Sequence, residues 1–242
     1  MLDLALVTAN FGGIDTLKPL PQDAGFDRFY YADEATLAGA SPETKATWTQ
    51  VIAPPYPRHD FGPRLRAKYF KCQIHRLPET QPYRWLAWAD GKMLFRDMSF
   101  LPASIERLRR LPPRSRLMLR PHPKRTTLRS EYEHVVGQMQ TGSQHHLTRY
   151  RAERLDEQMA FYEEQGWNTA ARLWSGGLWL IENNEAIREC WDHWWDHIIR
   201  FSILDQLSLS MVLENHNLDP QEFPFRHSGD SYFERVPHPK NM

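Results

Sequence analysis

The chain has 242 residues, and its 30 Lys and Arg balance 30 Asp and Glu, leaving a formal net charge of 0 before 11 histidines are counted. That balance excludes a nucleic-acid binder acting through bulk charge, and no apolar run approaches the roughly 18 residues of a membrane span. Only Cys72 and Cys190 are present, so there is no disulfide framework and a reducing cytosol fits best.

In chain order, residues 4–8 form a short apolar strand that ends in the glycine turn Phe11-Gly12-Gly13. Residues 26–32 read as a second strand running into Asp33-Glu34, and residues 48–52 as a third, ahead of an ordered Pro-rich loop. Residues 64–77 have apolar positions at helical spacing, with Arg and Lys mostly on the other faces. Residues 84–89 make a buried-strand pattern that stops at Asp90-Gly91; a helix over 100–111 and a strand over 115–119 follow. A long polar helical region covers about 128–165 and is broken near Thr141-Gly142-Ser143. A strand at 173–181, helices at 186–199 and 202–214, and a Pro- and His-rich tail from 215 to 242 complete the chain. With no repeat and no composition break, residues 1–242 are expected to form one α/β domain.

Several residues stand where chemistry is expected. Asp90 ends an apolar strand, so it belongs at the carboxyl edge of the sheet, where open α/β folds bind ligands. It could hold a divalent ion or contact a hydroxyl; an ordinary Asp-Gly turn explains the spacing equally. Lys92 follows as a cation for a phosphate or for solvent. Arg64, Lys68 and Lys71 lie one helical turn apart and could meet a diphosphate together, or form a solvated face. His122 and Arg125 sit on a loop stiffened by Pro121 and Pro123. Gly176 and Gly177 interrupt an apolar strand, which marks either close approach by a ligand or a β-bulge. Asp205 opens a helix, as a capping residue or as a base facing a pocket. Trp191, Trp194 and Trp195 are core or a sugar-stacking platform. There is no HExxH, CxxC, GxSxG, GxGxxG or P-loop pattern.

Taken in order, these pieces resemble the glycosyltransferase-like family once catalogued as the domain of unknown function 616, which includes plant proteins of mucilage and pectin biosynthesis. The resemblance runs over residues 4–214. It is carried by Thr8-Ala9 and Phe11-Gly12 through Asp15, by Tyr31-Ala32-Asp33-Glu34, and by the basic helix through Lys71 and His75-Arg76. Trp88-Ala89-Asp90-Gly91-Lys92, His122-Pro123 with Arg125, Glu131, Gln158 and Tyr162 before Gly166, and Trp194-Trp195 with Asp205-Gln206-Leu207-Ser208 continue it.

The resemblance implies a GT-A-like glycosyltransferase fold: a single Rossmann-like domain with a central mixed sheet flanked by helices, its tail of 215–242 packing near the active site. It implies transfer of a hexose from a nucleotide-sugar, UDP-hexose first among them, to a glycan or glycolipid acceptor. Thr8, Ala9, Phe11, Asp15 and Asp33 would hold the nucleoside, and Arg66, Lys68 and Lys71 the diphosphate. Asp90 would stand for the metal-binding Asp-x-Asp motif, with His227, before Ser228-Gly229, completing a Mn²⁺ or Mg²⁺ site. Lys92 occupies the second acidic position, where its charge could partly replace the ion's. Gly176, Gly177 and Glu182 would border the donor sugar, and His122, Arg125 and Asp205 the boundary with the acceptor. Asp205 would be the base if the reaction inverts, and would orient the sugar if it retains, the outcome the late histidine favours. A non-catalytic nucleotide-sugar or glycan-binding protein and a phosphotransferase or hydrolase are the competing functions. The expected location is the cytoplasm or the periphery of the inner membrane face, with no nucleic-acid partner and the oligomeric state open.

Overall fold

The computed structural model describes residues 2–21, 25–53, 61–225 and 232–235. Strand β1 (Leu4–Asn10) is buried along its whole length. Its side chains alternate between two cores, Leu4 and Leu6 on one face and Ala5 and Val7 on the other. A strand covered on both faces by helices needs this continuous apolar run. β2 (Asp27–Ala32) pairs parallel to β1, and β3 (Thr49–Ile52) pairs parallel to β2 as an exposed edge. Two short helices, α1 (Glu34–Ala38) and α2 (Pro42–Thr47), join β2 to β3. Neither shows in the hydrophobic periodicity, since each buries a single residue, but Asp33 and Ser41 are N-caps that announce them.

Helix α3 (Pro63–Cys72) covers β1, and a 3₁₀ turn at Ile74–Arg76 ends the segment expected to be one longer helix. β4 (Trp85–Ala89) pairs parallel to β1 on the side away from β2. After β5 (Met93–Phe95), helix α4 (Phe100–Leu108) packs its buried Phe100, Leu101, Ile105 and Leu108 under the sheet and leads to β6 (Leu117–Pro121). The polar helical region is three helices, α5 (Leu128–Gln140), α6 (Gln144–Tyr150) and α7 (Leu155–Glu164). Gly142, at φ 79°, makes the first break where the sequence placed it. β7 (Trp174–Glu182) then inserts between β4 and β6, antiparallel to both. α8 (Glu185–Arg200) and α9 (Asp205–Asn215) follow. In the tail, β8 (Gln221–Glu222) pairs with β6, and β9 (Phe233–Arg235) pairs with β5.

The main sheet thus runs β3-β2-β1-β4-β7-β6-β8 with β7 reversed, a single α/β domain with a central mixed sheet flanked by helices. The three tryptophans of α8 divide: Trp191 and Trp194 are core, fully buried, and Trp195 is packed against that core from its edge. They are not a platform for a sugar. Trp191 meets Trp179 of β7 edge to face, with ring centroids 5.3 Å apart, and Trp194 at 5.6 Å. Trp191→Ala should therefore lower unfolding stability by about 3–5 kcal/mol, measured by denaturant titration.

Candidate functional site

β2 lies on one side of β1 and β4 on the other, so the chain leaves a crevice beyond the carboxyl ends of β1 and β4. Such a switch point is where open α/β sheets take ligands. At its β1 side the turn Phe11-Gly12-Gly13 needs two positive φ angles, 65° and 64°, which glycine adopts without strain. The turn is pinned from both sides. Gly12 N–H donates to Asp33 Oδ2 at 2.8 Å and Gly13 N–H to Thr36 Oγ1 at 3.0 Å, while a Cβ on Gly12 would stand 3.0 Å from the Pro63 ring. At its β4 side Asp90 emerges with its N–H bonded to Gly177 O at 2.9 Å.

Between these edges lies a buried charge cluster. Arg64, Lys68 and Lys71 share one face of α3, and Lys68 Nζ and Lys71 Nζ each stand 2.6 Å from the same oxygen, Asp205 Oδ2. Lys71 also reaches Asp90 Oδ1 at 3.5 Å, which accepts from Trp88 Nε1 at 2.9 Å. The Lys71 side chain is 3% exposed and that of Asp205 6%. Lys71 Nζ lies 5.6 Å from the Trp88 ring and 5.7 Å from that of Trp194. Asp205 is the first residue of α9 but caps nothing; Leu204 holds the cap position without a side-chain bond. Gly176 completes the enclosure, because a Cβ there would sit 3.0 Å from Asp205 Oδ2 and 3.1 Å from Lys71 Nζ. Beside it the β6–β7 register shifts between Leu119 and Arg120, so both readings of the glycine pair, bulge and close approach, describe the same place.

Burial is the first influence on Asp205, Asp90, Lys68 and Lys71, and the charged partners oppose it with different outcomes. Burial alone would raise the Asp205 carboxyl, but two ammonium groups hold it well below the usual carboxylate range. Asp90 is held down to about 2 by Lys71, Lys92 and Lys68 and by the Trp88 N–H, again against burial. Burial pulls Lys68 down to about 8 in spite of Asp205. For Lys71 the two carboxylates outweigh burial and push it up. So placed, Asp205 anchors the two lysines rather than capping α9.

Two cavities meet at this cluster, of about 270 and 220 Å³. Lys68, Lys71, Asp90, Lys92, His145 and Arg149 border both. The first extends over Ala9, Phe11 and Asp15, the second over His122, Arg125, Gly177 and Asp205. His122 Nδ1 accepts the N–H of Arg125 at 3.0 Å, and the Arg125 guanidinium pairs with buried Glu131.

Other expected positions fall elsewhere. Thr8 is buried beneath Gly91 and lines neither cavity. Asp33 works behind the wall, bonding Gly12 and capping α1. Arg66 lines neither cavity, its guanidinium resting 4.3 Å from the centre of the Phe11 ring; Arg64, one helical turn before Lys68, lines the first cavity instead. Glu182 does not border a sugar. β7 is antiparallel, so Glu182 pairs with Trp85 at the opposite edge of the sheet, held by Arg84 at 2.8 Å and Arg116 at 3.1 Å. His227 lies outside the described residues. Arg149 and His145 escape a reading of the sequence, because α6 is short and its two apolar residues, Leu147 and Tyr150, are too few to show which face turns inward.

Of the two expected metal ligands, only Asp90 falls among the described residues. Among the described residues no three His, Cys, Asp or Glu side chains converge as ligands. Asp90 instead has Lys71, Lys92 and Lys68 as its charged neighbours, which would repel a dication.

No protein-family model matches the chain, so the resemblance to the 616 family has no matching model behind it. No curated protein matches it either. Among solved structures the chain is similar to the apo form of mouse xyloside xylosyltransferase 1, at 8% identity and a TM-score of 0.46, over 89% of this chain and 82% of that one. A likeness so distant bears on no residue of the site.

The cluster has two measurable consequences. Gly176→Ala should cost about 1–3 kcal/mol of stability, since the new methyl presses on Asp205 and Lys71, and chemical unfolding would register it. Asp90 has a folded pKa of about 2, below the unfolded value of about 3.9, so its contribution is complete above the unfolded value and lost as pH falls through the folded one. The stability gap between wild type and Asp90→Asn should stay constant above about pH 5 and close between about pH 4 and 2, measured by denaturant unfolding across that range.

Proposed function

We propose that the protein is a nucleotide-sugar-dependent glycosyltransferase of GT-A type, which moves a hexose from a nucleoside diphosphate, UDP first among candidates, to a hydroxyl of a glycan or glycolipid. The observation that carries this is the lysine–aspartate cluster at the β1–β4 switch point, standing between two cavities. The nucleoside would lie in the first cavity against Phe11 and Asp15, and the diphosphate against Lys71 and Lys92. In transfer the bond between the anomeric carbon and the phosphate oxygen breaks, the acceptor hydroxyl oxygen takes the carbon and passes its proton to the departing phosphate oxygen, on which negative charge grows before that proton arrives. Fixed cations in a partly closed site stabilise that charge without reorganising. Asp205 and Asp90 keep the two lysines charged and aimed before the substrate arrives. In this proposal the lysines supply the charge neutralisation that Mn²⁺ or Mg²⁺ would give elsewhere.

Calorimetric titration with UDP, GDP and CMP, each with and without Mn²⁺, tests this. One nucleotide should bind, with little change on adding Mn²⁺. Lys92→Met should weaken that binding by about tenfold or more, the effect of losing one charge-assisted contact. Lys92 forms no ion pair among the described residues, so its removal breaks no salt bridge of the cluster and takes from Asp90 only one of its neighbouring charges. Binding of none of the three would overturn the donor site. Binding without subsequent transfer or donor hydrolysis would leave a non-catalytic nucleotide-sugar-binding protein.

A further inference from the structure

The second cavity has a one-sided chemistry. Five fixed cations border it, Lys68, Lys71, Lys92, Arg125 and Arg149, against three carboxylates, Asp90, Glu131 and Asp205. Each of those carboxylates has at least one oxygen engaged. Asp205 holds two lysines, Asp90 accepts from Trp88 with Lys71 at 3.5 Å, and Glu131 takes Arg125 and the Gln206 amide at 2.9 Å. The charged groups left to meet a ligand are positive. Arg149 and Lys92 form no ion pair among the described residues, and Arg149 Nε is buried with no hydrogen-bond partner. The Arg149 guanidinium lies 5.3 Å from the Tyr150 ring, which leaves its charge unneutralised.

Four imidazoles line the same space, His122, His134, His145 and His146. The His146 ring touches those of His134 and His145, at centroid distances of 5.8 and 5.3 Å. Among the described residues no such group is arranged to hold a metal, and an imidazole N–H is a hydrogen-bond donor suited to an anion. A neutral sugar offers hydroxyls that need acceptors as well as donors. Asp205 and Glu131 are committed to cations of the same wall, so donors outnumber the acceptors left to a ligand.

Building on the transferase function above, we propose that the second cavity takes its sugar through an anionic group, a carboxylate or a phosphate, with Arg149 and His134 among the contacts. An anion there is what the surplus of fixed cations and the unpartnered Arg149 Nε call for. It would sit across the lysine cluster from the nucleotide, close to the departing diphosphate, and the cations between them would screen the repulsion.

The test is calorimetric titration of the full chain with glucuronate, glucose 6-phosphate and glucose, alone and saturated with UDP. Both anions should bind saturably, and glucose about tenfold more weakly or worse. Arg149→Gln should weaken the two anions by about tenfold, and His134→Gln severalfold with UDP affinity unchanged, since His134 borders only the second cavity. Unaltered thermal unfolding midpoints would show that both variants are folded. Equal binding of glucose and the two anions, or anion binding untouched by both substitutions, would overturn the proposal. Anion binding retained in a protein that ignores UDP would support this cavity and sink the donor site instead. UDP-glucuronate and UDP-glucose separate the two sources of the charge. Tighter binding of UDP-glucuronate, lost in Arg149→Gln, assigns the anion to the donor sugar; glucuronate binding alongside UDP-glucose assigns it to the acceptor.

Discussion

A single carboxylate oxygen, Asp205 Oδ2, holds two lysines from one helix, and all three side chains are largely buried. Burying two ammonium groups is tolerable only if their countercharge is fixed, and removing one partner from such a group typically costs about 3–5 kcal/mol. The surroundings obey that constraint. α9 must begin at Asp205 so that its first side chain turns inward. Position 176 must lack a Cβ, and Trp88 and Trp194 present ring faces to Lys71. Asp90 completes the balance from the sheet side, leaving its other surface toward the cavities.

The reversed strand makes this assembly possible. In a wholly parallel sheet the glycine pair would lie at the far edge from Asp90. Because β7 runs antiparallel to β4, its first residues, Ser175 to Gly177, meet the last residues of β4. The same reversal carries Glu182 to the other edge, where Arg84 and Arg116 neutralise it as part of the scaffold. One topological fact therefore admits two glycines to the site and removes a carboxylate from it.

The sheet is legible in the sequence because its central strands are continuous apolar runs, and Asp90 because it ends one of them. Lys68 and Lys71 are legible as a pair by helical spacing, yet spacing alone allows a solvated face; only the position of Asp205 turns them inward. Arg66 and Arg64 show the limit, since two residues on a helix point to opposite sides and local sequence does not say which side is buried. Glu182 is misplaced by the sequence because strand direction is a property of pairing, invisible within a single segment. The short capped helices α1 and α2 are hidden for want of periodicity, and Arg149 because a seven-residue helix with two apolar positions does not reveal its inward face until its neighbours are known.

Lys71 and Asp205 are 134 residues apart in the chain. During synthesis α3 is complete long before its counter-ion exists, so both lysines must remain hydrated until α9 arrives. The strands that frame the crevice can pair without them, but closing so long a loop comes late and slowly. The crevice consequently gains its paired charges only when α9 docks, however much of the sheet has already formed.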